Sequence, residues 1–183
     1  MQSRSQNPDS GGAVPDITFS IEQQKQDQWC WAAVALSLCH FYGDDTWPEQ
    51  CDLVNDIFAP IRGATDCCQN GDILPCDMSW SLSIVLNTVH HLALPIRGVV
   101  TFDDLTQEIE VGQRPVAVRI MFSDLITAHY IVLVGCAITP DGKQWVKVAD
   151  PSLATGNINS TEYSTLLTDY RPGATWNESY FTT

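Results

Sequence analysis

Apolar and polar positions change their period once along the 183-residue chain. From about Trp29 the apolar positions recur at helical spacing. Ala33, Leu36, Ser37 and His40 fall on one stripe, Trp31, Val34, Leu38 and Tyr42 lie beside it, and Gly43 stands where a helix would end. In "TWPEQCDLVNDIF", Thr46 followed by Pro48 and Glu49 has the form of a capping box and predicts a second helix over residues 47–58. "SWSLSIVLNTVHHL" carries Leu82, Val85, Leu86 and Val89 at helical spacing, and "TFDDLTQEIEVG" predicts a short helix capped by Thr101 and ended near Gly112.

Beyond that point the period becomes two. "RPVAVRIMF" alternates as a strand, "HYIVLVGCAI" is apolar on both faces and reads as a buried strand, "TPDGK" is a turn, and "QWVKVAD" alternates again. "STEYSTLL" predicts a short helix with Ser160 as its cap, and "ATWNESYFTT" a final strand. "VPDITFSIE", ahead of the first helix, reads as a short strand or an extended lead-in. Helices first and strands second predict an α+β fold with an antiparallel sheet. The expectation is one domain over residues 16–183, its helical part at about 29–112 and its sheet part at about 113–183. Residues 1–15 are polar and glycine-containing, read as a flexible arm, and lack the apolar middle of a signal peptide.

Composition narrows the function. Apolar residues make up 44% and charged residues 17%, enough for a real core. No apolar run reaches the ~20 residues that a membrane-spanning helix needs. The net charge of −13 repels nucleic acid and anionic lipid surfaces, so neither is an expected partner. Such acidity serves solubility or, more sharply, a site that attracts basic peptides. Nothing in the pattern sets an oligomeric state.

The seven cysteines change the picture most. Cys51, Cys67, Cys68 and Cys76 lie in one short polar region without the paired CxxC spacing of zinc sites, so no metal is expected. Two disulfides stapling an irregular loop fit better. Cys67 and Cys68 each bond elsewhere, to Cys51 and Cys76 in some order, which implies an oxidising compartment and a secreted or otherwise exported protein. Cys39 and Cys136 sit in apolar segments and read as buried free thiols.

That leaves Cys30, at the start of the first helix. A cysteine is nucleophilic as its thiolate, and the positive end of a helix stabilises that anion. His40, His90 and His91 lie at predicted helix ends and read as surface or capping residues. His129 opens the buried strand, where it is either an anchored ring facing a cleft or a hydrogen-bonded core histidine. Asp150 closes the next strand, where it either orients His129 or starts an Asp-Pro turn. The midpoint between the two lies between Thr139 and Pro140. A turn centred on Asp141–Gly142 instead sets Asp150 closer to Leu133, so a bulge or a diagonal reach is needed.

With these residues in order, "QKQDQWCWAAV" resembles the active-site segment of papain-like cysteine peptidases. It is most similar to the bacterial branch of avirulence-effector proteases, which carries a glutamine six residues before the cysteine, then an aromatic and small residues. Here these are Gln24, Cys30, Trp31, Ala32 and Ala33. "AHYIVLVGC" and "WVKVADPS" resemble the family's histidine and aspartate strands, and also those of bacteriocin-leader-cleaving peptidase domains. The resemblance implies a papain-like fold and a cysteine peptidase acting on a peptide or protein substrate without a cofactor. It implies Cys30 as nucleophile, His129 as general base and acid, Asp150 as the residue that orients His129, and Gln24 as oxyanion donor beside the Cys30 amide. Gln23, Gln26 and Gln28 compete for the last role, and only the spacing selects Gln24. Alternate exposure about Cys30 makes Trp29 a wall of the substrate cleft with Trp31 packed inward, or else both are core aromatics. "VPDITFS" lacks the aromatic-glycine processing site of the self-cleaving effector, so self-processing is not expected. The same triad also performs deamidation, transglutamination or the cleavage of a leader peptide, and a papain-like scaffold also serves as a non-catalytic binding or immunity module. The presence of every catalytic residue type argues against the last.

Overall fold

Helix α1 (Cys30–Phe41) is buried on every side from Cys30 to Cys39, which corrects the expected single stripe. It lies against α2 (Gln50–Arg62), α3 (Leu82–Thr88) and strand β3 (Ala128–Ile138), so no face is left for water. The one polar side chain in its interior, Ser37, donates to the Ala33 carbonyl (2.7 Å) and accepts the Glu22 amide (3.0 Å). Gly43 ends the helix as the sequence indicates. It holds φ +77°, and the next amide, of Asp44, closes back on the Cys39 carbonyl at 2.9 Å. Leu36 is wholly buried, and Leu36→Ala is expected to cost about 2–5 kcal/mol, read as a lowered urea midpoint with an unchanged slope.

The computed structural model describes residues 17–62, 65–154 and 156–183, so the arm expected at 1–15 lies outside the described residues. Residues 17–24 resolve the two readings of the lead-in. They run extended without a ladder partner, burying Ile17, Phe19 and Ile21 and exposing Thr18 and Ser20. The second helix starts three residues later than expected. Asp44 Oδ1 takes both the amide and the hydroxyl of Thr46, so Thr46 is not available as the cap. Glu49 takes that place: its carbonyl accepts the Asp52 and Leu53 amides and its own amide donates to Asp52 Oδ2. Two disulfides, Cys51–Cys68 and Cys67–Cys76, join all four expected cysteines and tie the irregular loop to α2 and to itself. They are compatible with an oxidising, exported compartment.

The sheet is antiparallel throughout, in the order β1-β6-β2-β3-β4-β5. The expected strands are β2 (Val116–Met121), β3, β4 (Gln144–Ala149) and β6 (Thr175–Phe181). Two edge strands, β1 (Ala93–Arg97) and β5 (Ile158–Glu162), were not expected: "ALPIR" contains a proline and "INSTE" has no apolar alternation. Ser160 therefore pairs with Lys147 within β5 instead of capping a helix, and α5 (Tyr163–Thr168) starts after Glu162. Thr101 does cap α4 (Phe102–Thr106), reciprocally with Asp104. The chain then widens into a π turn (Gln107–Val111) that stops at Gly112, where a Cβ would lie 2.7 Å from the Glu108 carbonyl oxygen. The architecture is α+β, helices packed on a six-stranded antiparallel sheet, consistent with a papain-like peptidase fold. No described helix is long and apolar enough to cross a membrane.

Candidate active site

Cys30 is the first residue of α1 and only 7% exposed. The amide groups of a helix's first turn have no partner within the helix, so the Cys30 sulfur sits at a positive dipole end. Across the core, β3 brings His129 to the same place. Asp150 follows directly after β4, and both expected devices operate between the two strands. The register shifts between Leu133 and Gly135, which sets Val132 opposite Ala149. His129 then lies on the same face as Asp150 but further along, and the side chains meet diagonally, with Nε2 and Oδ1 2.7 Å apart.

The imidazole is hydrogen-bonded to Asp150 and interacts electrostatically with the Cys30 side chain, which lines the same cleft. Because Asp150 occupies Nε2, the nitrogen left for Cys30 is Nδ1. Burial pulls the His129 pKa down, but Asp150 and Cys30 outweigh it and raise the ring to about 9. Burial opposes ionisation of Asp150 too, yet its contacts with His129 and Ser152 hold it far below the usual carboxylate range.

Asp150 is the most densely bonded group of the site. Oδ1 also accepts the amide and the hydroxyl of Ser152, at 2.9 and 2.8 Å. Oδ2 accepts the Tyr170 hydroxyl at 2.9 Å and Arg171 Nη2 at 2.8 Å. Asp150 thus starts an Asp-Pro-Ser turn and contacts His129 at once. Ser152 was legible in the "DPS" run, since an aspartate often accepts the amide two residues on. Tyr170 and Arg171 come from the segment after α5 and carry no periodic signal.

A cleft of about 970 Å³ opens over Cys30 and His129. Gln24 and Gln28 border it, and Gln23 and Gln26 do not, which narrows the competition among the glutamines. The Gln24 backbone amide donates to the Pro151 carbonyl (2.8 Å), tying the segment before Cys30 to the turn that holds Asp150. The Gln24 side-chain amide donates to the carbonyls of Gln26 and Asp27, both at 2.9 Å, while its buried Oε1 has no partner among the described residues.

The expectation for Trp29 is corrected. Its indole is 1% exposed and donates to the Cys76 carbonyl at 2.9 Å, so it packs on the disulfide loop and walls no cleft. Trp31 is 0% exposed and packs inward as expected, its Nε1 donating to the Met78 carbonyl at 2.8 Å, and it borders the opening together with the half-buried Trp80. The far wall includes Arg119, ion-paired to Glu178 at 2.8 Å, neither of which the sequence pattern singled out. Cys39 and Cys136 remain free thiols, as expected, and burial pushes each up to about 12.

No curated protein matches the chain. A family model does, over residues 16–182: a buried cysteine at a helix start, facing a histidine at the mouth of a central strand, belongs to a chain of the Peptidase_C39 like family, which implies a cysteine-type peptidase.

Proposed function

We propose that the protein hydrolyses peptide bonds through a thioester on Cys30, with His129 as proton carrier and Asp150 as its anchor. The observation that carries this reading is the convergence of Cys30 and His129 on one cleft, with the His129 ring bonded to the Asp150 carboxylate at 2.7 Å. The proton shared between the Cys30 thiol and His129 Nδ1 sits on the imidazole as the Cys30 sulfur attacks the substrate carbonyl carbon. The resulting oxyanion is met by the Cys30 amide and by Gln24, once Gln24 turns one N–H away from its loop carbonyl. As the intermediate collapses, the C–N bond breaks and His129 delivers its proton to the leaving amine. Water then attacks the thioester, gives a proton to His129, and releases the acid and the free cysteine.

Asp150 keeps the ring oriented through both steps, because its second oxygen is held by Tyr170 and Arg171. The substrate is an extended stretch of peptide or protein in the cleft, without a cofactor. The two disulfides support action outside the reducing cytosol.

An epoxide-type thiol-peptidase inhibitor tests this directly. Peptide mapping by mass spectrometry is expected to place one adduct on Cys30 and none on Cys39 or Cys136. Labelling of the latter two with Cys30 untouched overturns the reading.

A further inference from the structure

The segment that delivers Cys30 is a turn between Gln24 and Cys30, with the Trp29 amide on the Gln26 carbonyl at 3.2 Å and the Gln24 side-chain amide on the Gln26 and Asp27 carbonyls. Its start is tied to α2, where the Lys25 amide donates to Gln50 Oε1 at 3.0 Å. The residues next to Cys30 are held by residues 76–78 of the disulfide loop. The Gln28 amide donates to Asp77 Oδ1 at 2.9 Å, Trp29 Nε1 to the Cys76 carbonyl at 2.9 Å, and Trp31 Nε1 to the Met78 carbonyl at 2.8 Å. These three donors belong to residues 28, 29 and 31, which bracket the nucleophile. Gly71 closes the same contact. A Cβ there would lie 2.7 Å from Gln26 Nε2 and 3.3 Å from the Trp29 ring, so loop and nucleophile segment touch with no room between them.

The loop itself is built from turns and contains neither helix nor strand over residues 65–78. The Cys67–Cys76 bridge closes it at the residue whose carbonyl takes the Trp29 indole, and both half-cystines are buried. Freed of that bridge, residues 76–78 regain the backbone freedom of a turn-rich segment, and the three acceptors lose their common anchor.

We propose that the Cys67–Cys76 bridge and Asp77 position the nucleophile segment, so that Cys30 reaches full reactivity only while this bridge is oxidised. The proposal rests on Cys30 being the reactive thiol. A small dithiol switches the state off: it delivers two electrons and two protons, the S–S bond becomes two thiols, and the dithiol closes to its own disulfide. Asp77 is a positioning residue, since it touches the backbone of Gln28 and no reacting atom.

The test is the second-order rate of Cys30 alkylation by iodoacetamide, followed by peptide mapping across pH 5–10. It is run on the full chain, on Asp77→Ala, on Asp77→Asn and on the double replacement Cys67→Ser with Cys76→Ser. Asp77→Ala and the double serine variant are expected to lose about tenfold in rate and to show an altered pH profile, because a displaced sulfur no longer meets His129. Asp77→Asn keeps an oxygen for the Gln28 amide and is expected to stay within about twofold of the parent. Tryptophan emission is expected to move in the double serine variant, because the Trp29 indole rests on the Cys76 carbonyl.

Parental rates and an unshifted profile in Asp77→Ala and the double variant overturn the proposal. If the double variant does not fold, the alanine and asparagine pair decides alone. Alkylation needs no peptide substrate, so failure of the parent to cleave peptides would count against the hydrolytic reading and leave this result standing.

Discussion

Cys30→Ala is expected to abolish peptide hydrolysis, a fall in kcat/KM on the order of 10⁵-fold, in a protein that still folds. The size follows from what is removed. Without the sulfur no thioester forms, and only binding and oxyanion stabilisation remain. Folding survives because the change deletes one buried atom, whose loss costs about 1 kcal/mol, and because Cys30 is a free cysteine outside both disulfides. The measurement is kcat/KM on a denatured protein substrate, with a urea melt to show the fold. Cys39→Ala and Cys136→Ala serve as controls. Burial, reinforced by Asp44 in one case and Glu110 in the other, keeps both thiols protonated near neutrality, so their loss leaves the rate unchanged.

Asp150→Asn carries the second-largest effect, a loss of about 10²–10⁴-fold in kcat/KM at pH 7. The asparagine fills the same space but removes the charge that favours the imidazolium. Activity of the parent is expected to fall on the alkaline side near pH 9, where His129 loses its proton, and in the variant that limb moves to lower pH. Stability moves with it. His129 is raised above its unfolded value of about 6.5, so its contribution is full below that pH and lost as the pH rises through about 9. Asp150 is depressed, so its contribution is full above the ordinary carboxylate range and lost as acid reaches its folded value. Urea melts at pH 6 and pH 9.5 are expected to differ clearly for the parent and much less for the variant. Equal pH dependence in the two proteins would show that the pair does not couple.

Much of this arrangement was legible in the residues, for reasons that differ from place to place. Gly43 marked the end of α1 because a positive φ there favours glycine. The four loop cysteines were separable from the rest because they crowd one polar region, and their pairing was not, since nothing in a spacing says which neighbour Cys67 or Cys68 faces. The approach of His129 to Asp150 could be bounded from the turn between the strands, and the need for a bulge followed from the mismatch in register.

What failed did so where a tertiary contact decided. Alternation about Cys30 put Trp29 on the cleft wall, but the chain turns into helix at Cys30, two-fold alternation stops, and Trp29 is buried like Trp31. Thr46 carried every local mark of a cap and lost its hydroxyl to Asp44. The edge strands β1 and β5 are held by their neighbours and not by their own pattern. Tyr170 and Arg171 reach Asp150 from a stretch whose only signal is its folded position.

The burial of α1 on all sides has a consequence for the timing of activity. A helix with no water-facing side has no stable form outside the finished core, and here it holds the thiol while the sheet, in which β6 lies between β1 and β2, holds the imidazole. On the proposed mechanism neither half hydrolyses a peptide alone. A chain that has not yet joined helix to sheet carries Cys30 without its proton carrier, and activity begins only when the two close on each other.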